Sequence, residues 1–363
     1  MTQPKHGGNL TWAAELAGCS PSFILDFSAS INPLGPPASA IAAIQQALPL
    51  LRDYPDPDYR DLRQALSQFH QIPPEWILPG NGSAELLTWA CRELAGLAAT
   101  DLPVPAFGDY LRALNAFNAK ITQVSDWFSS LPSSPPFPPS SLPLPNTGLL
   151  LNNPHNPTGT LFCRDALRPC LDQYALVVVD EAFMDFLPPD QQQSVMDWVF
   201  EYPNLVVLRS LTKFYSLPGL RLGYAIAHPD RLKRWQQWRD PWSVNTLAAA
   251  AAIAVLQDTS FQQQTWDWLA AARPALQSGL AAIAGLTPFP SVANYLLVKT
   301  TISAVALQRQ LLRQHRILIR DCVSFPELGD RFFRVAVRKP EENQALLEGL
   351  REVVAIGAED ALL

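Results

Sequence analysis

Four aliphatic residues followed by two acids, Leu176-Val177-Val178-Val179-Asp180-Glu181, constrain this chain more than any other segment. A continuous apolar run of that length reads as a strand buried on both faces, as in a parallel sheet covered by helices. A carboxylate at its carboxyl end needs a partner, because burial otherwise raises its pKa and neutralises it. Two partners stay open: the start of a helix that Asp180 would cap, or a protonated ring nitrogen brought by a ligand. A metal-binding acid is disfavoured, since no Walker-type glycine loop with lysine precedes it.

The same pattern recurs. Leu149-Leu150-Leu151, Leu205 to Leu208 and Gly223 to Ala227 also read as buried parallel strands, each next to polar or loop-forming residues. Helical patterns at Ala84 to Leu97 and Arg231 to Trp238 give the alternation of a three-layer α/β/α domain with a mostly parallel sheet, in which ligands gather at the strand ends. Beyond about Pro241 the pattern changes to helices at Asn245 to Leu256 and Phe261 to Leu280, then short strands at Tyr295 to Val298, Ile317 to Arg320 and Phe332 to Val337. That predicts a smaller α+β domain. The expected division is residues 1–40 as an amino-terminal arm with part of the small domain, 41–240 as the large domain and 241–363 as the small domain. The proline-rich run Leu131 to Pro145 reads as an extended surface connection, with recognition of a partner as the less favoured alternative.

At 363 residues the chain has room for two domains with a large buried core. A net charge of -6 argues against a general nucleic-acid binder but allows a local basic pocket. No apolar run reaches the roughly 20 residues that span a bilayer. The first residues lack a secretory pattern, and the five cysteines are scattered without metal or disulfide spacing, which points to a cytoplasmic protein without a metal site.

Three further segments carry chemistry. Asn152-Asn153-Pro154-His155-Asn156-Pro157-Thr158-Gly159 follows a strand, and Asn156 has an amide donor suited to an aromatic oxygen. It is otherwise a tight turn. Arg209-Ser210-Leu211-Thr212-Lys213 places hydroxyls at Ser210 and Thr212 beside a nucleophilic amine at Lys213, and Arg221 adds a cation suited to a phosphate. Finally, Leu78-Pro79-Gly80-Asn81-Gly82-Ser83-Ala84-Glu85 reads as strand, glycine turn and helix start, so the N–H groups of Gly82, Ser83 and Ala84 would face an anion.

In their order along the chain, the glycine turn at Gly80 to Glu85, then Asn153 to Gly159, then Asp180 to Phe183, then Ser210 to Lys213 followed by Arg221, the four motifs resemble the fold-type I pyridoxal-phosphate (PLP) enzymes of the aminotransferase class I/II group. The resemblance implies that Asn156 bonds the phenolic oxygen of PLP, that Asp180 pairs with its ring nitrogen and that Lys213 carries it covalently. It further implies that Ser210 and Arg221 hold the phosphate, that Phe107 stacks on the ring, and that Tyr54 reaches the phosphate across the interface of a homodimer with shared active sites. Phe183 stands where many relatives have tyrosine.

Within that group, His6-Gly7-Gly8-Asn9 and Asp26-Phe27-Ser28-Ala29-Ser30-Ile31-Asn32-Pro33 are similar to the threonine-phosphate decarboxylase subgroup of cobalamin biosynthesis. So are Pro241 to Asn245, Ala293 to Leu297 and Ile317 to Cys322. This implies a small phosphorylated amino acid as substrate, held by His6, Gly7, Ser30, Asn32, Asn156, Arg320 and Arg334, with Ser30 standing where the subgroup usually has asparagine. An aminotransferase acting on histidinol phosphate shares the PLP motifs and is the alternative.

Overall fold

The computed structural model describes residues 6–125, 127 and 144–360, the last five by backbone alone. Of the proline-rich run, only Leu144 and Pro145 fall within these residues. The chain divides into two compact units. One takes in Leu34–Asn156 and Leu161–Trp266; the other takes in the residues up to Pro33, Pro157–Thr160 and those from Asp267 onward. The last boundary, between Trp266 and Asp267, falls inside the long helix Thr259–Ala281.

The first unit is built on a seven-stranded sheet in the order Ile77–Asn81, Leu222–Ala227, Leu205–Ser210, Leu176–Asp180, Thr147–Asn152, Ala99–Pro103, Ile121–Val124. The last five pair in parallel. Leu222–Ala227 runs antiparallel to both its neighbours, contrary to the parallel strand expected from its apolar run. A parallel return requires a crossover of a dozen or more residues, usually helical. The link 211–221 instead turns straight back, with Ser216 and Arg221 at φ 55° and 59°. An apolar run reports burial on both faces but carries no direction.

Helices cover the sheet because their apolar positions recur at helical spacing. In Ser83–Leu94 the buried residues Leu86, Leu87, Ala90, Cys91 and Leu94 form one stripe that packs with Leu150, Val178, Val206 and Ala225. Burial of such side chains stabilises by about 1.5–3 kcal/mol each.

The second unit carries an antiparallel four-stranded sheet in the order Arg320–Asp321, Phe332–Ala336, Tyr295–Thr300, Leu286–Pro288. A separate parallel pair joins Leu25–Asp26 to Ile317–Leu318. The single strand expected at Ile317 to Arg320 is therefore two, since its halves pair with different partners on either side of the buried Ile319.

Among the described residues no helix is long and apolar enough to cross a membrane, and no group of His, Cys, Asp and Glu could hold a metal ion. All five cysteines are unpaired.

Candidate active site

In the sheet of the first unit, register places Asn152 opposite Asp180 and Asp180 opposite Leu208, so two strands end together and the third runs on two residues to Ser210. Asp180 is buried there, accepting hydrogen bonds from the Tyr110 hydroxyl at 2.8 Å and the Ala182 N–H at 3.0 Å. Burial raises its pKa, while the Tyr110 and Ala182 bonds and the charge of Lys213 pull it back down. A cationic N–H brought to this carboxylate would tip the balance to the ionised form, so the donor set fits a protonated ring nitrogen. The capping alternative is met only in part: the Ala182 N–H bond is local, and a short 3-10 turn at Met184–Phe186 follows rather than a helix.

The asparagine-rich turn divides its labour. Asn152 donates to the Pro154 carbonyl at 3.1 Å, and Asn153 exchanges two 2.9 Å bonds with Phe162, so these two amides hold the turn itself. Asn156 is 6% exposed. His155 is buried between a hydrogen bond to the Pro105 backbone and the edge of Trp127, and burial pushes it down to about 3.

Beyond the strand Leu205–Ser210, the Ser210 and Thr212 hydroxyls share a 2.8 Å hydrogen bond, and Lys213 follows half-buried. Gly223 sits opposite both Ser210 and Gly80 in the ladder, and a Cβ there would stand 2.4 Å from the Ser83 nitrogen. Glycine thus lets the start of Ser83–Leu94 press against the sheet beside Ser210. Gly82, at φ 75°, performs the same service for Arg221: a Cβ would lie 2.5 Å from Nη2 of that residue. No side chain caps this helix. A helix start, a hydroxyl and a guanidinium therefore converge, with Ala84 in the first turn, in the arrangement that suits a phosphate. Phe107 is half-buried and meets Tyr110 edge-on at 5.5 Å. Tyr54 lies apart from these residues, 79% exposed and stacked on Trp242 at 4.4 Å.

In the second unit, His6, Gly7, Ser28 and Arg320 line one small open pocket. Arg320 and Arg334 are directly opposed in the antiparallel ladder. Arg320 bonds the Ser324 hydroxyl at 2.6 Å, while Arg334 lies over the Tyr295 ring at 4.8 Å. Burial lowers the pKa of both; the charge of Arg320 lowers that of Arg334 further, whereas Asp321 and Cys322 pull Arg320 back up. Two opposed cations in a protein interior call for anions between or beside them. Ser30 is 4% exposed, its hydroxyl without a hydrogen-bond partner among the described residues, and Asn32 is buried two residues on.

Sequence reasoning passed over three features. Tyr110 is the hydroxyl donor to Asp180, and its signal was the spacing of three from Phe107. Glu181 and Arg209 form a fully buried ion pair at 3.1 Å, extended to Asp185 at 3.0 Å, on residues adjacent to Asp180 and Ser210. Because strand neighbours face opposite ways, this network backs the site from behind the sheet. Asn294 is fully buried with neither amide atom hydrogen-bonded among the described residues.

An acid, an amide, a lysine and an anion cradle at the carboxyl ends of one mixed sheet define an α/β protein built around a flat phosphorylated group. The family model of aminotransferase class I and II matches residues 23–350, and the chain belongs to that family. It is 40% identical over 359 residues to the threonine-phosphate decarboxylase of Salmonella typhimurium, covering 96% of each chain. Histidinol-phosphate aminotransferase 2 of Ralstonia nicotianae is 34% identical, with 96% of this chain and 94% of that protein covered. The histidinol-phosphate aminotransferase of Sinorhizobium meliloti, solved in complex with pyridoxal-5'-phosphate, shares the fold at a TM-score of 0.81 and 22% identity, over 98% of this chain and 96% of that one.

Proposed function

We propose that this chain is a PLP-dependent lyase that decarboxylates L-threonine O-3-phosphate to (R)-1-amino-2-propanol O-2-phosphate in cobalamin biosynthesis. The observation that carries the reading is the opposed pair Arg320 and Arg334, with His6 and Gly7 beside Arg320: two cationic positions suit a substrate with an anion at each end. The 40% identical decarboxylase relative agrees with it.

When bound, PLP supplies a ring that accepts electrons from the substrate's Cα. Asp180 would hold a proton at the ring nitrogen, Asn156 would donate to the phenolic oxygen, and Phe107 would pack on the ring face. Gly82, Ser83, Ala84, Ser210, Thr212 and Arg221 would take the phosphate. Lys213 would anchor the cofactor and afterwards return a proton to Cα. Whether Cα loses its carboxylate or its hydrogen depends on which bond stands perpendicular to the ring, so Arg334 matters most as the residue that would orient the carboxylate. Arg320, His6 and Gly7 would take the substrate phosphate, with Ser30 and Asn32 completing the site through hydrogen bonds, directly or through water.

The protein would act as a cytoplasmic homodimer. Support for the dimer comes from the exposed apolar side chains of Leu50, Leu51, Tyr54 and Trp242, a patch of the kind that marks an interface.

The test is to supply purified protein with PLP and L-threonine O-3-phosphate. Carbon dioxide released without any 2-oxo acid is the expected result. Strict dependence on 2-oxoglutarate would instead make the protein an aminotransferase.

A further inference from the structure

We infer that Ser28 is a positioning residue for the anion-binding end of the substrate site, fastening the amino-terminal arm His6-Gly7-Gly8-Asn9 beside Arg320. This deepens the decarboxylase reading, on which it rests for the substrate but not for the geometry.

The latch begins with Asp26. One carboxylate oxygen, Oδ1, accepts both the Ser28 N–H at 2.7 Å and the Ser28 hydroxyl at 2.6 Å. The hydroxyl proton is thereby committed, and the oxygen's lone pair is left to accept the Gly8 N–H at 2.8 Å. Ser28 is 2% exposed, so water competes little for that bond. The two glycines of the arm follow from the same contact. A Cβ on Gly7 would stand 2.2 Å from the Ser28 carbonyl oxygen and 2.7 Å from its carbon, backbone atoms that cannot step aside. Gly8 has φ 80°, a conformation that side chains disfavour.

Past the glycines the chain is held independently. The Asn9 side chain caps the helix Leu10–Ala17 by accepting the Trp12 N–H at 3.1 Å, and that helix packs Ala13 against Leu312 and Leu318. The helix fixes one end of the arm and Ser28 fixes the other, which places His6 and Gly7 at the rim of the pocket that Arg320 lines. The Ser28 carbonyl also accepts from Arg334 at 3.5 Å. One small residue thus touches both the arm and the second arginine. Its contribution is geometric, since its own hydroxyl is consumed in the latch.

Two variants and two readouts test this on the PLP-loaded full chain. Ser28→Ala removes the acceptor, and Gly7→Ala forces the arm off the Ser28 backbone. In each, amide hydrogen exchange at Gly8 should quicken by about tenfold or more, and KM for L-threonine O-3-phosphate should rise by about tenfold. The absorbance band of the Lys213-bound cofactor should stay where it is. Because both changes break one latch, the double variant should be no worse than the poorer single variant. Unchanged exchange and KM in Ser28→Ala would overturn the proposal, as would additive effects of the two changes. The exchange measurement needs no turnover. A wild type that fails to decarboxylate threonine phosphate, with variants that still show the faster exchange, would therefore sink the functional reading and keep the latch, and the reverse pattern would do the opposite.

Discussion

The Tyr110 hydroxyl donates to Asp180 across 2.8 Å, linking the first turn of one helix to the carboxyl end of a central strand. It is a hydrogen bond to a group whose charge burial opposes, and it lowers the pKa that burial has raised. Tyr110→Phe should raise that pKa further, leaving less carboxylate to pair with a ring nitrogen. Hydrogen bonds to charged groups contribute about 1.5–3 kcal/mol, so PLP affinity and kcat should together fall by one to two orders of magnitude. Cofactor titration by absorbance measures the first and steady-state kinetics the second. A variant matching wild type in both would show that Ala182 and Lys213 suffice to hold the acid.

Arg320 and Arg334 present the opposite case, a pair whose geometry costs stability. Like charges directly opposed on an antiparallel ladder repel, and here Arg320 is buried and Arg334 half-buried. Arg320→Met keeps the stem and removes the charge, so in the absence of substrate the variant should melt at or slightly above the wild-type temperature. Its KM for the phosphorylated substrate should nevertheless rise by about a hundredfold. Inorganic phosphate should raise the melting temperature of wild type and leave that of the variant unchanged. A destabilised variant that still responds to phosphate would mean that Arg320 is structural.

These residues also mark how much the sequence disclosed. The strand runs ending at Asp180 and Ser210 were legible because an apolar run that stops at a polar residue states both burial and its limit. The direction of Leu222–Ala227 was not, since it depends on a link that turns back rather than crossing over. The break at Ile319 was hidden for a related reason: pairing partners lie far away in the chain, while hydropathy is local. In the asparagine turn, composition could not say which amides serve the backbone; Asn152 and Asn153 do so, through hydrogen bonds to the Pro154 and Phe162 carbonyls. Tyr110, Arg209 and Ser28 escaped notice because each acts through a neighbour of the residues whose types announce chemistry.

Gly223→Ala tests the packing that brings the phosphate cradle together. The added Cβ would meet the Ser83 nitrogen at 2.4 Å and the Arg209 carbonyl oxygen at 2.7 Å, so helix and sheet must separate. Overpacking of this kind costs about 1–3 kcal/mol, to be read by denaturant unfolding of the cofactor-free protein. PLP should bind more weakly than that stability loss alone explains, because the helix start moves away from Ser210. Affinity held at the wild-type level would place the phosphate elsewhere.

His155 makes the site sensitive to acid. Burial pushes it down to about 3, against about 6.5 in an unfolded chain, with the Pro105 hydrogen bond opposing that shift. The folded state therefore favours neutral imidazole, so its contribution to stability is full above about pH 6.5 and is lost as pH falls toward 3. Between those limits unfolding takes up one more proton at this residue, a slope of about 1.4 kcal/mol per pH unit. His70, likewise depressed by burial and the nearby charge of Arg209, adds a second such term. In His155→Gln, which keeps an N–H for Pro105 but cannot titrate, the pH dependence of unfolding free energy between pH 6 and 4 should be shallower by about one proton. Equal slopes in the two proteins would mean that His155 is reached by water and titrates normally in the fold.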